Sequence, residues 1–282
     1  MRFFITLVIT VLSSFCVRAQ DVQARHSRYL DRAEVQHVAN SVTVTANSPR
    51  PLAQSLTALS EEYSWVIDFE DPPYYSRYDL VDDTDPKWRA ANPAAKGVTV
   101  VAGDTFQSQF VMNSDTGTSA ADEERILSKI VSDYNESGNP GKFSVRKEGD
   151  GRFAVVGTQV KDENGQSQSV NSILDTPISV REETRDAYKT IEAILNAVSA
   201  ETHINVFLGM TAQNALFQTQ VTVGGESTPA RVLLLRTLSA AKIKLYWRLY
   251  HDHDAQMYML NVLPLRKANY DASGNRTTVL VR

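Results

Sequence analysis

The sequence predicts an α+β protein: two tandem small β-α-β-β-α-β sandwiches, each ending in a hairpin, after a cleaved signal peptide. Three observations predict it. The order strand, helix, strand, strand, helix, hairpin occurs twice; apolar spacing switches repeatedly between period two and period 3.6; and the chain begins with an apolar run too short to span a bilayer.

That run comes first. Met1-Arg2 precedes Phe3 to Leu12, and Ser13 to Ala19 provides a small-residue exit, so residues 1–19 read as a secretory signal cleaved near Ala19. Cys16 follows Phe15, where a lipoprotein box needs a small residue, so it is simply part of the discarded segment. Removing the signal takes away Arg2 and Arg18, which moves the formal charge from −4 to −6, and takes away the only cysteine. The mature chain then has no disulfide and no thiolate chemistry, and apolar cores must hold it in an oxidising compartment, periplasmic or secreted. The acidic balance and the lack of a long basic run argue against nucleic acid as a partner.

Residues 20–40 read as a polar leader with a short helix. The first unit, 41–160, opens with alternating Ser41 to Ala46, a strand. Leu52, Leu56, Leu59 and Tyr63 then form one helical face, and Trp65 to Phe69 a second strand. A long loop, 70–97, rich in Pro, Asp and Tyr, interrupts. Val98–Val101 and Thr105–Met112 follow as strands, and Asp122-Glu123-Glu124 opens a helix carrying Ile126, Leu127, Ile130, Val131 and Tyr134. Gly138 to Gly141 stops it, and Glu148-Gly149-Asp150-Gly151 turns a hairpin.

A polar linker, 161–174, leads to the second unit, 175–265. Pro177–Val180 reads as a strand, Thr184 as an N-cap, and Ala187, Tyr188, Ile191, Ile194, Leu195 and Val198 as a helical face. Ile204–Leu208 and Phe217–Val223 are strands, Gly224-Gly225-Glu226 is a turn, and Thr228-Pro229 starts a leucine-rich helix running to Lys242. Ile243–Tyr250 and Met257–Pro264 are strands around the polar turn His251–Ala255, and 266–282 is a tail.

The stretch from Thr184 to Leu263 resembles the secretin and TonB short N-terminal domain. The residues that carry the resemblance are Ala193 to Val198 running into Ile204-Asn205-Val206, then Val221 to Gly225, then Thr228 to Leu234 leading through Leu238 to Tyr246. The first unit is similar more loosely, through Pro51-Leu52 to Leu59-Ser60 and Trp65-Val66-Ile67. The resemblance implies a docking module of the bacterial envelope whose partner is another envelope protein, possessing neither cofactor nor catalysis. The pore or receptor barrel that normally follows is absent from this sequence, and the resemblance carries over no binding residues.

Two features invite chemistry. His251-Asp252-His253-Asp254 has ligand types suited to zinc, His251 and His253 foremost, but it sits at an expected hairpin tip where polar residues are simply solvated. The loop from Glu70 to Trp88 places Tyr74, Tyr75, Tyr78 and Trp88 among acids. Either those rings form a contact surface for a protein or glycan partner, or they fold back on the first sheet; the alternative to an adaptor acting through sheet edges or this loop is an envelope enzyme or small-ligand binder that uses it. The acidic residues there lack the Gly and Glu of a calcium loop, as Trp88 and Ala94 stand in those places counted from Asp83. No nucleophile-elbow, phosphate-loop, dinucleotide or zinc-protease pattern occurs. The expected function is therefore a non-enzymatic adaptor.

Overall fold

The computed structural model describes residues 33–112, 119–149, 151–271 and 276–282. The expected signal peptide, Cys16 and most of the leader lie outside the described residues. The fold is α+β. Among the described residues, no helix is long and apolar enough to cross a membrane.

In the first half, β1 (Glu34–Val38), β2 (Ser41–Ala46) and β6 (Phe106–Val111) form an antiparallel sheet in the order β1-β2-β6. The end of the leader is thus a strand, where a short helix was expected: Val35 and His37 pair with Val44 and Val42, giving the backbone of β2 a partner on its open side. Helix α1 (Pro51–Tyr63) buries Leu52, Leu56 and Leu59, as their spacing predicts. Strand β3 (Val66–Glu70) follows. The 70–97 loop is not structureless: it contains β4 (Leu80–Asp82) and α2 (Pro86–Ala91, capped by Asp85), and β4 pairs with β5 (Thr99–Val101). Helix α3 (Ala120–Glu136) is capped by Ser119 and buries all five expected side chains. Gly138, with φ of 81°, follows its end in the left-handed region that glycine enters without penalty. Strands β7 (Lys142–Gly149) and β8 (Arg152–Lys161) form the expected hairpin.

The 161–174 segment is tied down at both ends rather than free. Its β9 (Ser167–Ser169) pairs with β8, while Leu174, in a 3-10 turn, packs into the second core. Strand β10 (Pro177–Asp186) is longer than expected, so the N-cap of α4 (Ala187–Thr202) is Asp186, and Thr184 instead bonds Thr222 across the sheet. Strand β11 (Asn205–Thr211) is followed by a short helix, α5 (Gln213–Phe217), where the second strand was expected to begin. Strand β12 (Gln220–Pro229) runs straight through Gly224-Gly225, which is therefore not a turn. A Cβ on Gly224 would lie 2.3 Å from the Glu182 backbone, so glycine permits the close approach at a register shift between β10 and β12. Helix α6 (Ala230–Ser239) takes Pro229 as its N-cap. Strands β13 (Leu245–Asp252) and β14 (Met257–Pro264) complete the half, and the expected tail forms a further hairpin, β15 (Arg266–Tyr270) with β16 (Arg276–Leu280).

The pairing senses recur in the two halves. β2 pairs antiparallel with β6, β3 parallel with β8, and β8 antiparallel with β7. β10 pairs antiparallel with β12, β11 parallel with β14, and β14 antiparallel with β13. The halves then merge, because β13 lies parallel to β3 and yields one sheet in the order β11-β14-β13-β3-β8-β7. Its two helical layers lie on opposite faces. Ile67, Phe69, Phe143, Phe153 and Val155 enter the first core, whereas Leu245, Trp247, Leu249, Leu260 and Val206 enter the second.

The seam between halves is rich in buried charge. β3 and the residue after it carry Asp68, Glu70 and Asp71, all buried. Arg152 makes a two-pronged contact with Asp68 at 2.8 and 2.9 Å, and Asp68 also accepts the Trp247 backbone N–H at 2.8 Å. Arg231, at the start of α6, makes the same contact with Glu70 at 2.5 and 2.8 Å, and Trp247 Nε1 donates to Glu70 at 3.1 Å. Arg50 pairs with Asp71 at 2.6 Å and donates to the His251 carbonyl at 2.8 Å. The buried Arg248 crosses the seam from β13 to the Ile67 carbonyl and Thr57 of α1. Burial works against the charge on Arg231, but Glu70 and then Asp175 outweigh it and hold its pKa above the ordinary value.

Removing one member of such a pair leaves a buried charge with no partner. Arg231→Met is expected to lower the unfolding free energy by about 3–5 kcal/mol, and adding Glu70→Leu is expected to restore most of it. Urea unfolding of the two variants is the measurement, and a loss under about 1 kcal/mol for Arg231→Met would show that the pair does not hold the seam.

Candidate functional site

The sequence-predicted aromatic residues do not converge on a pocket. Tyr74 is buried, its hydroxyl donates to the Pro140 carbonyl at 3.3 Å, and it packs with Val101 and Val160. Tyr75, Tyr78 and Trp88 are about half exposed. Tyr75 stands edge-on to His251 at 5.1 Å, Tyr78 lies under Arg77, and Trp88 is on α2. The rings therefore divide between the two readings of this loop: Tyr74 folds back, and the other three stay at the surface.

The histidine pair is also divided. His251 is not at a solvated tip: β13 continues through Asp252, and the His251 ring is buried between Tyr75 and Tyr258. Among the described residues, neither of its ring nitrogens has a hydrogen-bond partner. His253, in the turn, places Nδ1 3.1 Å from the Tyr74 carbonyl. Among the described residues, no group of three or more His, Cys, Asp or Glu is placed to hold a metal ion.

A groove of about 740 Å³ lies elsewhere, between β1, β2, α1 and the β15–β16 hairpin. Glu34, Glu61 and Glu62 line it, and each is engaged by the chain itself: Gln36 donates to Glu34, Arg276 pairs with Glu61 at 2.5 Å, and Tyr270 and His37 contact Glu62. No residue of the 70–97 loop lines it.

A different kind of site is built at β11. Asn205-Val206-Phe207-Leu208 is apolar on both faces after its first residue, yet only one face is covered. Val206 and Leu208 point into the second core, while Phe207 is 40% exposed; a register shift between Leu208 and Thr211 breaks the alternation, and Met210 within it is 66% exposed. Phe207 lies beside Met259 in the register, and the partly buried Met257 and Met259 extend that face across β14. At the outer edge, α4 contributes Tyr188, Glu192, Leu195 and Asn196 to a groove of about 180 Å³ against Val206, Phe207 and Leu208. Tyr188 stacks on Phe217, itself half exposed, at 4.7 Å.

Among the described strands, β11 pairs only with β14. The Ser199 hydroxyl accepts the Val206 N–H at 2.9 Å and lies 3.3 Å from its carbonyl, so the backbone of Val206 faces outward and is capped. By the period of two, the backbone of Leu208 faces the same way, and no described strand pairs with it on that side. Gly209 lets β11 sit tightly on β14: a Cβ there would lie 2.3 Å from Asn261 Oδ1, the atom that accepts the Met210 N–H at 2.7 Å. An exposed strand edge beside a groove and an apolar strip is suited to adding an extended segment, with backbone hydrogen bonds giving affinity and the methionines adapting to the partner's shape. The sequence signal for this edge is the apolar residues of both parities in β11, a pattern that goes with burial on both faces.

The chain matches no family model, no curated protein and no solved structure.

Burial, with His253 and Arg50 nearby, lowers the His251 pKa to about 4, against a slight opposing pull from Asp252. The native state therefore favours the neutral ring. Its contribution to stability is complete above pH about 6.5 and falls as pH drops towards 4, by roughly 2 kcal/mol between pH 7 and pH 5. His251→Phe removes the titrating ring and its two unsatisfied nitrogens, so the variant is expected to lose that part of the pH dependence. Urea unfolding at pH 7 and pH 5 checks it, and an unchanged difference between the two proteins would refute it.

Proposed function

We propose that the chain is an exported, non-enzymatic docking module of the bacterial cell envelope, made of two tandem units resembling the secretin and TonB short N-terminal domain, which receives an extended segment of a partner protein at the β11 edge. The observation that carries this reading is a strand apolar on both faces and covered on one, with Phe207 and Met210 exposed beside an unpaired edge. Isolated exposed apolar side chains are ordinary, whereas a contiguous strip bordering a groove marks an interaction surface. The recurrence of the same strand pairings in the two halves supports the tandem reading.

The groove beside α1 favours a second reading, a small-ligand or glycan binder, because Tyr250 and Tyr270 line it together with the three glutamates. In that reading Tyr270→Ala weakens ligand binding and changes at β11 do not.

The docking reading is tested by replacing Phe207 with a photo-reactive benzoylphenylalanine in cells that express and export the chain. A discrete protein adduct is expected from position 207 and none from the exposed α4 position Glu201. Met210→Lys is expected to abolish the adduct while changing unfolding free energy by less than about 0.5 kcal/mol, since the residue is at the surface. Equal adducts from both positions, or none from 207, would refute the reading.

A further inference from the structure

The seam at β13 and β3 joins one edge type of the repeated pairing pattern to the other. β13 is to β14 what β7 is to β8, the antiparallel outer strand, and β3 is to β8 what β11 is to β14, the parallel outer strand. In the chain itself, β13 meets β3 in parallel through Arg248 opposite Phe69 and Leu249 opposite Glu70, with the Asp71 N–H donating to the Leu249 carbonyl at 2.8 Å. The two remaining ends of the sheet are β7, of the same type as β13, and β11, of the same type as β3. Among the described strands, each has a neighbour on one side only.

The directions also fit. Across the sheet, β11 and β14 run one way, β13, β3 and β8 the other, and β7 the first way again. β7 and β11 therefore run parallel in one molecule, and a second copy in the same orientation places its β11 beside β7 in the parallel sense of the internal seam. The edges are prepared alike. At the seam, the first outward groups are taken by side chains: Asp68 accepts the Trp247 N–H, and Arg248 donates to the Ile67 carbonyl. At β7, the Asn135 side chain accepts the Phe143 N–H and donates to its carbonyl, both at 2.9 Å, leaving Val145 and Lys147 outward by the period of two. At β11, Ser199 caps Val206 and leaves Leu208. The helical layers alternate between faces at the seam, so the same relation would bring the α3 layer of one copy towards the bare Phe207 face of the next.

We propose that the partner at the β11 edge is the β7 edge of a second copy of this chain, so that copies join head to tail by repeating their own internal seam. This rests on the docking reading above and specifies its occupant. Such a contact uses two different surfaces, so it generates an open chain of subunits rather than a closed pair unless the rotation per step closes a ring.

Cysteines placed on the two edges test it. β11 and β7 are five strand spacings apart, about 24 Å within one molecule, so a disulfide between them must join copies. In chains carrying Cys16→Ser, the variants Lys147→Cys and Met210→Cys are expected to give a mixed disulfide on oxidation in excess of either homodimer. The double variant is expected to give a ladder of dimers, trimers and higher species, and sedimentation of the Cys16→Ser chain is expected to show mass rising with concentration. A sedimentation mass of one chain at every concentration, an absent mixed disulfide, or a ladder that stops at dimers would overturn the proposal. If the chain is monomeric and Phe207 still yields an adduct with a different protein, the docking reading stands and self-assembly fails; loss of both results removes the docking reading too.

Discussion

Three carboxylates on and just after one central strand are the constraint around which this molecule is arranged. Asp68, Glu70 and Asp71 lie where β3 meets β13, shielded from water, and each needs a cation delivered from elsewhere in the chain. Arg152 comes from β8, Arg231 from the start of α6 and Arg50 from the residue before α1. The Arg231 guanidinium reaches back across 161 positions of sequence, and through it Glu148 and Asp175 join the same network. A buried ion pair seldom exceeds an apolar contact in net stability, but losing one partner is costly. Each acid also takes a donor from the second half, the Trp247 N–H for Asp68, Arg231 for Glu70 and the His251 N–H for Asp71, and these contacts tie the register of β13 to β3.

That register makes a sheet whose two ends are covered on opposite faces. The cost of this arrangement is that each end has a face without its own helices. At β3 and β13 the neighbouring half fills it; at β11 nothing in the described chain does, so Phe207, Met210, Met257 and Met259 form an apolar strip next to an unpaired edge. The capping of Val206 by Ser199 and of Phe143 by Asn135 shortens both edges without closing them, as natural proteins do to prevent indiscriminate strand addition. The proposed docking surface is thus a consequence of how the halves are joined, and is not an appendage to them.

Much of the fold was legible from the sequence because most elements carry their own periodicity. Leu52, Leu56 and Leu59, or Ile126, Ile130 and Tyr134, announce helices without help from distant residues. What stayed hidden depends on partners far away in sequence. Trp65 to Phe69 reads as a strand, yet nothing local says that Asp68 is buried and answered by Arg152. Gly224-Gly225 resembles a turn, and only the approach of Glu182 explains why the strand continues through it. His251 looks solvated between two strands because its burial comes from Tyr75, in a loop some 180 residues earlier. The leader strand and the C-terminal hairpin lack strong alternation and form because other strands or α1 await them. For the site, the aromatic loop drew attention by composition, whereas the exposed strip at β11 is signalled by apolar residues of both parities, a mark that becomes legible once one face is known to be bare.

The central requirement is that the seam is part of the global fold. Native-state hydrogen exchange of the Asp71 and Trp247 amides, which bond to the Leu249 carbonyl and to Asp68 across β3 and β13, measures this. These amides are predicted to exchange with the same opening free energy as amides in the middle of β8 and β14. Exchange through a smaller opening, with β8 and β14 still protected, would mean that the halves are separate bodies resting edge to edge and would contradict it.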